Sequence, residues 1–120
     1  MARIMLATPD DDMRKYISGK LNLAGHYVSR VADFEVALTL LCETCFDVLI
    51  VSVDAEDAEG LAFAHEARRI DPEMRVVFLT GFAIVPLECR EDDEDGLYDR
   101  LGAPSHLSRV ADEIGRMMVA

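Results

Sequence analysis

The sequence contains no apolar run approaching the roughly 18 residues that a membrane-spanning helix requires. Its opening stretch, MARIMLATPDDD, turns acidic too early for a secretory signal peptide. Because the chain shows neither kind of segment, the expected location is the cytoplasm.

Basic side chains are scarce, since 12 Lys and Arg residues stand against 23 Asp and Glu residues and give a formal net charge of −11. A chain with this charge repels phosphate backbones and anionic lipid surfaces. We therefore expect no nucleic acid and no membrane among its partners.

Cysteine is also scarce, and the odd number of three residues does not build a disulfide framework. Cys42 and Cys45 form a C-x-x-C pair, but they lie at the C-terminal end of a predicted helix, where the dipole does not lower a thiol pKa. A structural zinc would need two further ligands, and no second pair is present. We therefore expect Cys42 and Cys45 to be ordinary helix residues, one or both of them buried. We expect the protein to bind no metal ion and no cofactor. His65 and His106 lack partners at metal spacing and are expected at the surface.

The composition that remains is globular, with 51% hydrophobic and 29% charged residues in 120 residues. This length suits one domain over residues 1–120. Strands are predicted at residues 3–7, 26–32, 48–53 and 75–80 from short apolar, β-branched runs. Helices are predicted from Asp10 to a stop at Gly25, over residues 34–45, and over residues 59–70 before Pro72.

The pattern weakens after residue 80. Residues 82–87 suggest a short helix broken by Pro86, and residues 91–96, EDDEDG, suggest a mobile loop. Residues 97–101 suggest a marginal fifth strand. Residues 106–118 predict a closing helix whose inward positions are Leu107, Val110, Ala111, Ile114 and Met118.

Five strand and helix units predict an α/β fold in which a parallel sheet carries helices on both faces. Ligands in such folds gather at the carboxyl ends of the central strands. Four carboxylates follow one of these strands, and we expect them to form a solvated loop and helix start. They are Asp54, Glu56, Asp57 and Glu59.

Over its whole length the chain resembles a response-regulator receiver domain of the CheY-like superfamily. The resemblance implies a flavodoxin-like, doubly wound, five-stranded parallel sheet of (βα)5 topology in three layers. Within the superfamily the chain resembles the small CpdR-type cell-cycle receivers, which help deliver substrates to a cytosolic ATP-dependent protease. The resemblance rests on the stretches MARIMLATPDDDMRKYI, LAGHYV, FDVLIVS, IDPEMRVVFLTGFA and APSHL.

The resemblance also implies a phosphorylation site whose chemical groups are largely absent. Ser52 replaces the nucleophilic aspartate, Thr8 and Pro9 replace the metal-binding acidic pair, and Ala103 replaces the lysine. A serine hydroxyl is a poor nucleophile without a base, and magnesium requires oxygen ligands that carry charge. Only Thr80 matches the family pattern. The aromatic residue expected on the fifth strand is replaced by Arg100, two residues from Tyr98.

These positions predict a noncatalytic pseudo-receiver that binds protein partners, as a monomer or weak homodimer. The resemblance implies that the partner is a histidine kinase, another regulator or a component of a protease-adaptor pathway. The acidic run 91–95 is a further candidate for docking a basic partner. By family analogy the partner-binding residues are Phe82, Ile84, Val85, Tyr98, Arg100 and Leu107.

Two alternatives remain open. In the first, a phosphoryl group is still accepted with magnesium at a shifted Asp54, assisted by Asp10, Asp11 and Asp12. In the second, a small ligand binds in the vacated pocket. An enzyme is not expected, because no Gly-rich phosphate loop or catalytic triad is present.

Overall fold

The computed structural model describes residues 1–53, 58–88 and 100–119. The described elements alternate between strands and helices up to the fourth strand, after which short strands follow one another. They are β1 (Arg3–Ala7), α1 (Asp11–Leu23), β2 (Tyr27–Val31), α2 (Phe34–Glu43), β3 (Val48–Ser52), α3 (Glu59–Ile70), β4 (Arg75–Thr80), β5 (Ala83–Glu88), β6 (Arg100–Leu101), β7 (Ser105–His106), a 3-10 turn (Leu107–Arg109) and α4 (Val110–Val119).

The first two helices begin at aspartate caps. The Asp10 carboxylate accepts a hydrogen bond from the backbone N–H of Met13 at 3.0 Å, and Asp33 accepts one from Glu35 at 2.8 Å. These bonds satisfy N–H groups that have no partner inside the helix. The chain leaves α1 through Gly25, whose φ of 92° suits glycine.

Four strands form the parallel part of the sheet, in the order β2-β1-β3-β4. Ile4 lies opposite Val28 on one side and Val48 on the other, so β1 is fully enclosed. These strands are almost continuously apolar because helices cover both of their faces. The predicted α/β fold with a parallel sheet and flanking helices is confirmed.

The segment after β4 differs from its prediction. Residues 82–87 do not form a helix, because β5 turns back antiparallel to β4 and pairs Thr80 with Ala83. Only Gly81 and Phe82 lie between the two strands. Gly81 has a φ of 59°, and every described residue with a positive φ is a glycine. This arrangement fits a type II′ turn, which requires glycine at its first central position. The expected all-parallel, five-unit sheet is corrected to a parallel core extended by a hairpin.

Pro86 fits inside β5 because of its register. Hydrogen-bonded and non-hydrogen-bonded residue pairs alternate along an antiparallel ladder, and the alternation starts here from the hydrogen-bonded pair Thr80–Ala83 beside the turn. Val77–Pro86 is therefore a non-hydrogen-bonded pair, so β4 needs no N–H from Pro86. The Pro86 carbonyl points the other way and accepts from Gly102 N at 2.7 Å.

β6 and β7 both pair with the far side of β5. Leu101 lies opposite Leu87 and Ser105 opposite Ile84, so three intervening residues face two on β5, which is a bulge. Of the predicted strand 97–101, the described residues contain Arg100–Leu101. The predicted closing helix is also corrected, because residues 105–106 are extended and α4 begins at Val110.

The core has two layers, one on each face of the sheet. Helices α2 and α3 cover one layer, which includes Met5, Leu49 and Phe63. Helices α1 and α4 cover the other, which includes Ile17 and Ile114. None of the helices in the described ranges is long and apolar enough to cross a membrane.

Candidate functional site

A crevice of about 630 Å³ lies at the carboxyl edge of the parallel strands. This is the edge at which ligands bind in open α/β sheets. Its walls come from the ends of β1, β3 and β4, the starts of α1, α2 and α3, and the hairpin turn. The lining residues include Thr8, Asp10, Met13, Phe34, Ser52, Val53, Glu59, Thr80 and Phe82.

Two hydroxyl groups meet at the floor of the crevice. Ser52 ends β3, and its Oγ lies 2.5 Å from Oγ1 of Thr8, which follows β1. Thr8 is only 1% exposed, and its Oγ1 also accepts from the Asp10 N–H at 3.3 Å. The structure therefore brings together the two positions predicted for the nucleophile and a metal ligand, and joins them through a neutral hydrogen bond.

Charged groups near the crevice are engaged with one another at the start of α1. Arg14 donates to the Thr8 carbonyl at 2.7 Å and to the Asp11 carboxylate at 2.8 Å. Lys15 Nζ lies 3.3 Å from Asp11. The hydrogen bond and charge of Lys15, followed by the weaker effect of Arg14, hold the pKa of Asp11 below its ordinary value.

Glycine is required at one point on the crevice wall. A Cβ atom placed on Gly60, near the start of α3, would lie 2.1 Å from the Ser52 carbonyl oxygen. Helix α3 thus approaches the end of β3 more closely than any side chain would allow. Sequence reasoning missed Gly60 because a glycine in the first turn of a helix gives no sign of what it contacts.

Thr80, the one predicted position that matches the family pattern, ends β4 and is exposed at the crevice. Phe82 follows at the hairpin turn and lines the crevice mouth with 72% of its surface exposed. Phe34 and Met13 complete the apolar wall; the sequence pattern placed both in helices but assigned neither to the site.

Several predicted site residues lie elsewhere. Ala103 is exposed on the bulge between β6 and β7 and does not line the crevice. Ile84 is 0% exposed and Leu107 is 5% exposed, because both face the layer under α1 and α4. The prediction that these two side chains contact a partner is therefore corrected.

The remaining predicted positions lie on the other face of β5, outside the described residues, or at the edge of the described part of the chain. Val85 is half-buried on the opposite face of β5. Asp54 and Tyr98 lie outside the described residues, as do Glu56, Asp57 and residues 91–96. Arg100 is described as a strand residue, without its side chain.

No group of three or more His, Cys, Asp or Glu side chains in the described parts of the chain is placed to hold a metal ion. Cys42 and Cys45 are both exposed free thiols, which corrects the expectation that at least one is buried. Cys45 lies beyond the end of α2, because the chain becomes extended at Thr44. His106 caps the final 3-10 turn by accepting from Ser108 N at 3.0 Å.

No protein-family model matches the sequence. The sequence is 34% identical over 122 aligned positions to the response regulator receiver protein CpdR of Brucella abortus (strain 2308), covering all of this chain and 99% of that protein. The chain belongs to the response regulator receiver family. This receiver domain is also 27% identical over 113 residues to the C4-dicarboxylate transport transcriptional regulatory protein DctD of Rhizobium meliloti, of which it matches 24% of the length.

Solved structures of receiver domains share the fold. The CheY-like receiver domain protein of Methanospirillum hungatei JF-1 gives a TM-score of 0.74 at 16% identity, over 99% of this chain and 94% of that one. The receiver domain of the hybrid histidine kinase CckA gives 0.70 at 24% identity, over 97% and 98%. These similarities confirm the CheY-like, flavodoxin-like fold class, and the receiver is a component of two-component signalling.

Proposed function

We propose that this receiver is a noncatalytic pseudo-receiver, an interaction or adaptor module that does not take a phosphoryl group at the end of its third strand. The observation that carries the proposal is the contact of 2.5 Å between the hydroxyls of Ser52 and Thr8. A neutral pair of hydroxyls occupies the place where the family chemistry calls for charged oxygens.

The chemistry of the crevice supports this proposal. Attack on phosphorus by a serine requires a base that removes its proton, and the hydrogen-bond partner of Ser52 is another hydroxyl. Magnesium is bound through carboxylates and water. Thr8 is neutral, Pro9 carries no side-chain oxygen, and the Asp10 carboxylate caps α1. The described residues therefore do not fit a magnesium ion, and no catalytic step is assigned to one.

Without an acyl phosphate and a metal ion, neither ligand can shift the domain between two conformations by that route. Regulation would then come from abundance or from partner binding. As part of this proposal, the domain acts in the bacterial cytoplasm, in two-component or cell-cycle signalling. Its partner is a histidine kinase, another regulator or a component of a protease-adaptor pathway, the last suggested by the resemblance to CpdR-type receivers.

The test is incubation with magnesium and acetyl phosphate, followed by intact-mass measurement. We expect no gain of a phosphoryl group on the wild-type domain. The matched control carries three changes that restore the nucleophile and the metal-binding pair at the crevice, Thr8→Asp, Pro9→Asp and Ser52→Asp, and we expect it to gain one phosphoryl group.

A stoichiometric phosphoryl gain on the wild-type domain would contradict the proposal. If Asp54→Asn then abolished that gain, the shifted acceptor would be the correct alternative. A small molecule that remains bound in native mass spectra would instead favour a ligand-responsive regulator.

A further inference from the structure

The crevice presents an open apolar surface. Met13, Phe34 and Val53 are half-buried along its walls, and Phe82 stands 72% exposed at its mouth. The backbone of Phe82 is fixed, because its carbonyl accepts from Leu107 N at 2.7 Å. An exposed aromatic ring on a tightly fixed turn is the type of residue that anchors protein interfaces.

The ionisable side chains of the described lining carry charge of one sign. Asp10 and Glu59 are the ionisable side chains among the described lining residues, and none of these residues is basic. The nearby cations Arg14 and Lys15 are paired with Asp11. An occupant that matches this lining combines apolar surface with positive charge.

We propose that the crevice binds an arginine side chain carried by a basic segment of a protein partner. The proposal rests on the proposed function, because an acyl phosphate with its metal ion would occupy the same space. The methylene stem of arginine would pack on Met13 and Phe34. Its planar guanidinium would stack on the face of Phe82 and reach the carboxylate of Asp10.

Other occupants fit less well. A bare divalent ion would lack ligands, since the described residues contain no group of three suitable side chains. A phosphate or a nucleic acid would meet carboxylates and no basic group along the described lining. Arginine is preferred to lysine because its weakly hydrated, planar group stacks on an aromatic ring and forms two parallel bonds to a carboxylate.

The test uses the peptide acetyl-Gly-Leu-Arg-Leu-Gly-amide and a version in which citrulline, of the same shape but uncharged, replaces arginine. Both are titrated into the full 15N-labelled chain and followed by two-dimensional NMR. We expect a dissociation constant of about 0.1–1 mM for the arginine peptide, weakened about tenfold by citrulline. The perturbed amides should include those of Thr8, Ser52, Gly81 and Phe82.

Two matched pairs of variants assign the contacts. Phe82→Ser should weaken binding about tenfold, whereas Leu23→Ser, which removes a side chain 92% exposed at the end of α1, should have no effect. Asp10→Asn keeps the helix cap but removes the charge and should weaken binding about threefold. Glu73→Gln removes a charge before β4, at the opposite edge of the sheet, and should leave binding unchanged.

Perturbations that map away from the crevice, or equal affinities for the arginine and citrulline peptides, would overturn the arginine site while leaving the pseudo-receiver proposal intact. Addition of magnesium and beryllofluoride separates the two proposals. We expect no displacement of the peptide. Displacement accompanied by beryllofluoride binding at Ser52 would refute the proposed function, even with arginine bound at the predicted place.

Discussion

Gly60 determines how closely α3 lies against the end of β3, and therefore how the crevice wall is formed. Its absent side chain allows the helix to meet the Ser52 carbonyl, which a Cβ would approach to 2.1 Å. Because the contact is with backbone, no rotamer change can relieve it. One of the two elements would have to move.

Replacement of Gly60 by alanine should therefore destabilise the domain by about 3 kcal/mol, since overpacking against fixed backbone shifts whole elements. Urea unfolding followed by circular dichroism measures the change. Gly19→Ala is the matched control, because Gly19 lies inside α1 and a methyl group added there would have no atom within 4 Å beyond its chain neighbours and the backbone of its own helix. It should stabilise the domain by about 0.5–1 kcal/mol. Equal effects of the two substitutions would show that the close approach is not real.

The residues of the candidate site that could be predicted from the sequence are those that lie at the ends of strands. Ser52 and Thr80 are the last residues of β3 and β4, and Thr8 follows β1, so parallel packing brings them to one edge. The hydrogen bond between Ser52 and Thr8 joins residues 44 positions apart, and no local pattern encodes it. The same holds for Arg14, whose bond to the Thr8 carbonyl depends on how α1 packs.

At the scale of elements, the largest error concerned residues 82–87. The interpretation as a broken helix gave weight to Pro86 and overlooked the turn signal before it. Two apolar runs separated by Gly81 and one further residue form a short-range hairpin pattern. The alternation is also regular, since Ile84 faces the layer under α1 and α4 while Val85 and Leu87 face the other layer.

The hairpin should depend on Gly81. Alanine at a φ of 59° costs about 1–2 kcal/mol, so Gly81→Ala should lower the free energy of unfolding by that amount. The neighbouring substitution Phe82→Ala should change it by less than about 0.5 kcal/mol, because the Phe82 ring is mostly exposed. Chemical denaturation of both variants tests the turn, and a neutral Gly81→Ala would contradict the type II′ assignment.

The final helix shows how a shifted start changes the buried face. Sequence periodicity counted from residue 106 placed Met118 in the core, but the chain first makes a 3-10 turn at Leu107–Arg109. From Val110 the inward positions are then Ile114 and Met117, and Met118 is 40% exposed. A turn of three residues per cycle cannot be distinguished from an α-helix by hydrophobic spacing over so short a stretch.

At the scale of the whole molecule, the parallel sheet and its coverage by helices on both faces were predictable because continuous apolar strands alternate with amphipathic helices. The antiparallel extension could not be predicted in this way, because the segment after β4 can either form a local turn or continue into a further crossover helix. The two faces of the sheet are each filled by residues from at least four elements, so the parallel core tolerates this change at its edge.

The domain carries a net charge of −11 over its 120 residues. Self-repulsion on this scale destabilises the compact state and is screened by salt. Three ion pairs lie within single helices, Arg14–Asp11, Arg69–Glu66 and Arg116–Glu113. Such pairs contribute little to the free energy of unfolding, so their screening by salt should cost little stability.

The melting temperature should therefore rise by several degrees when the NaCl concentration is raised from about 20 to about 300 mM. Differential scanning calorimetry at pH 7 measures the shift, and KCl should give the same result because the effect is one of screening. A melting temperature that falls with salt would mean that attractive charge pairs outweigh the repulsion.

The bulge between β6 and β7 bears on whether this edge of the sheet can pair with a second copy of the protein. Among the described strands these two form the outer border beyond β5, where a long, flat strand would offer unpaired amides to another molecule. Within the described residues each segment is two residues long, and Pro104 lies between them without an amide hydrogen to donate. Between Arg100 and His106, intermolecular sheet growth, the first step towards fibrils, therefore lacks a continuous template.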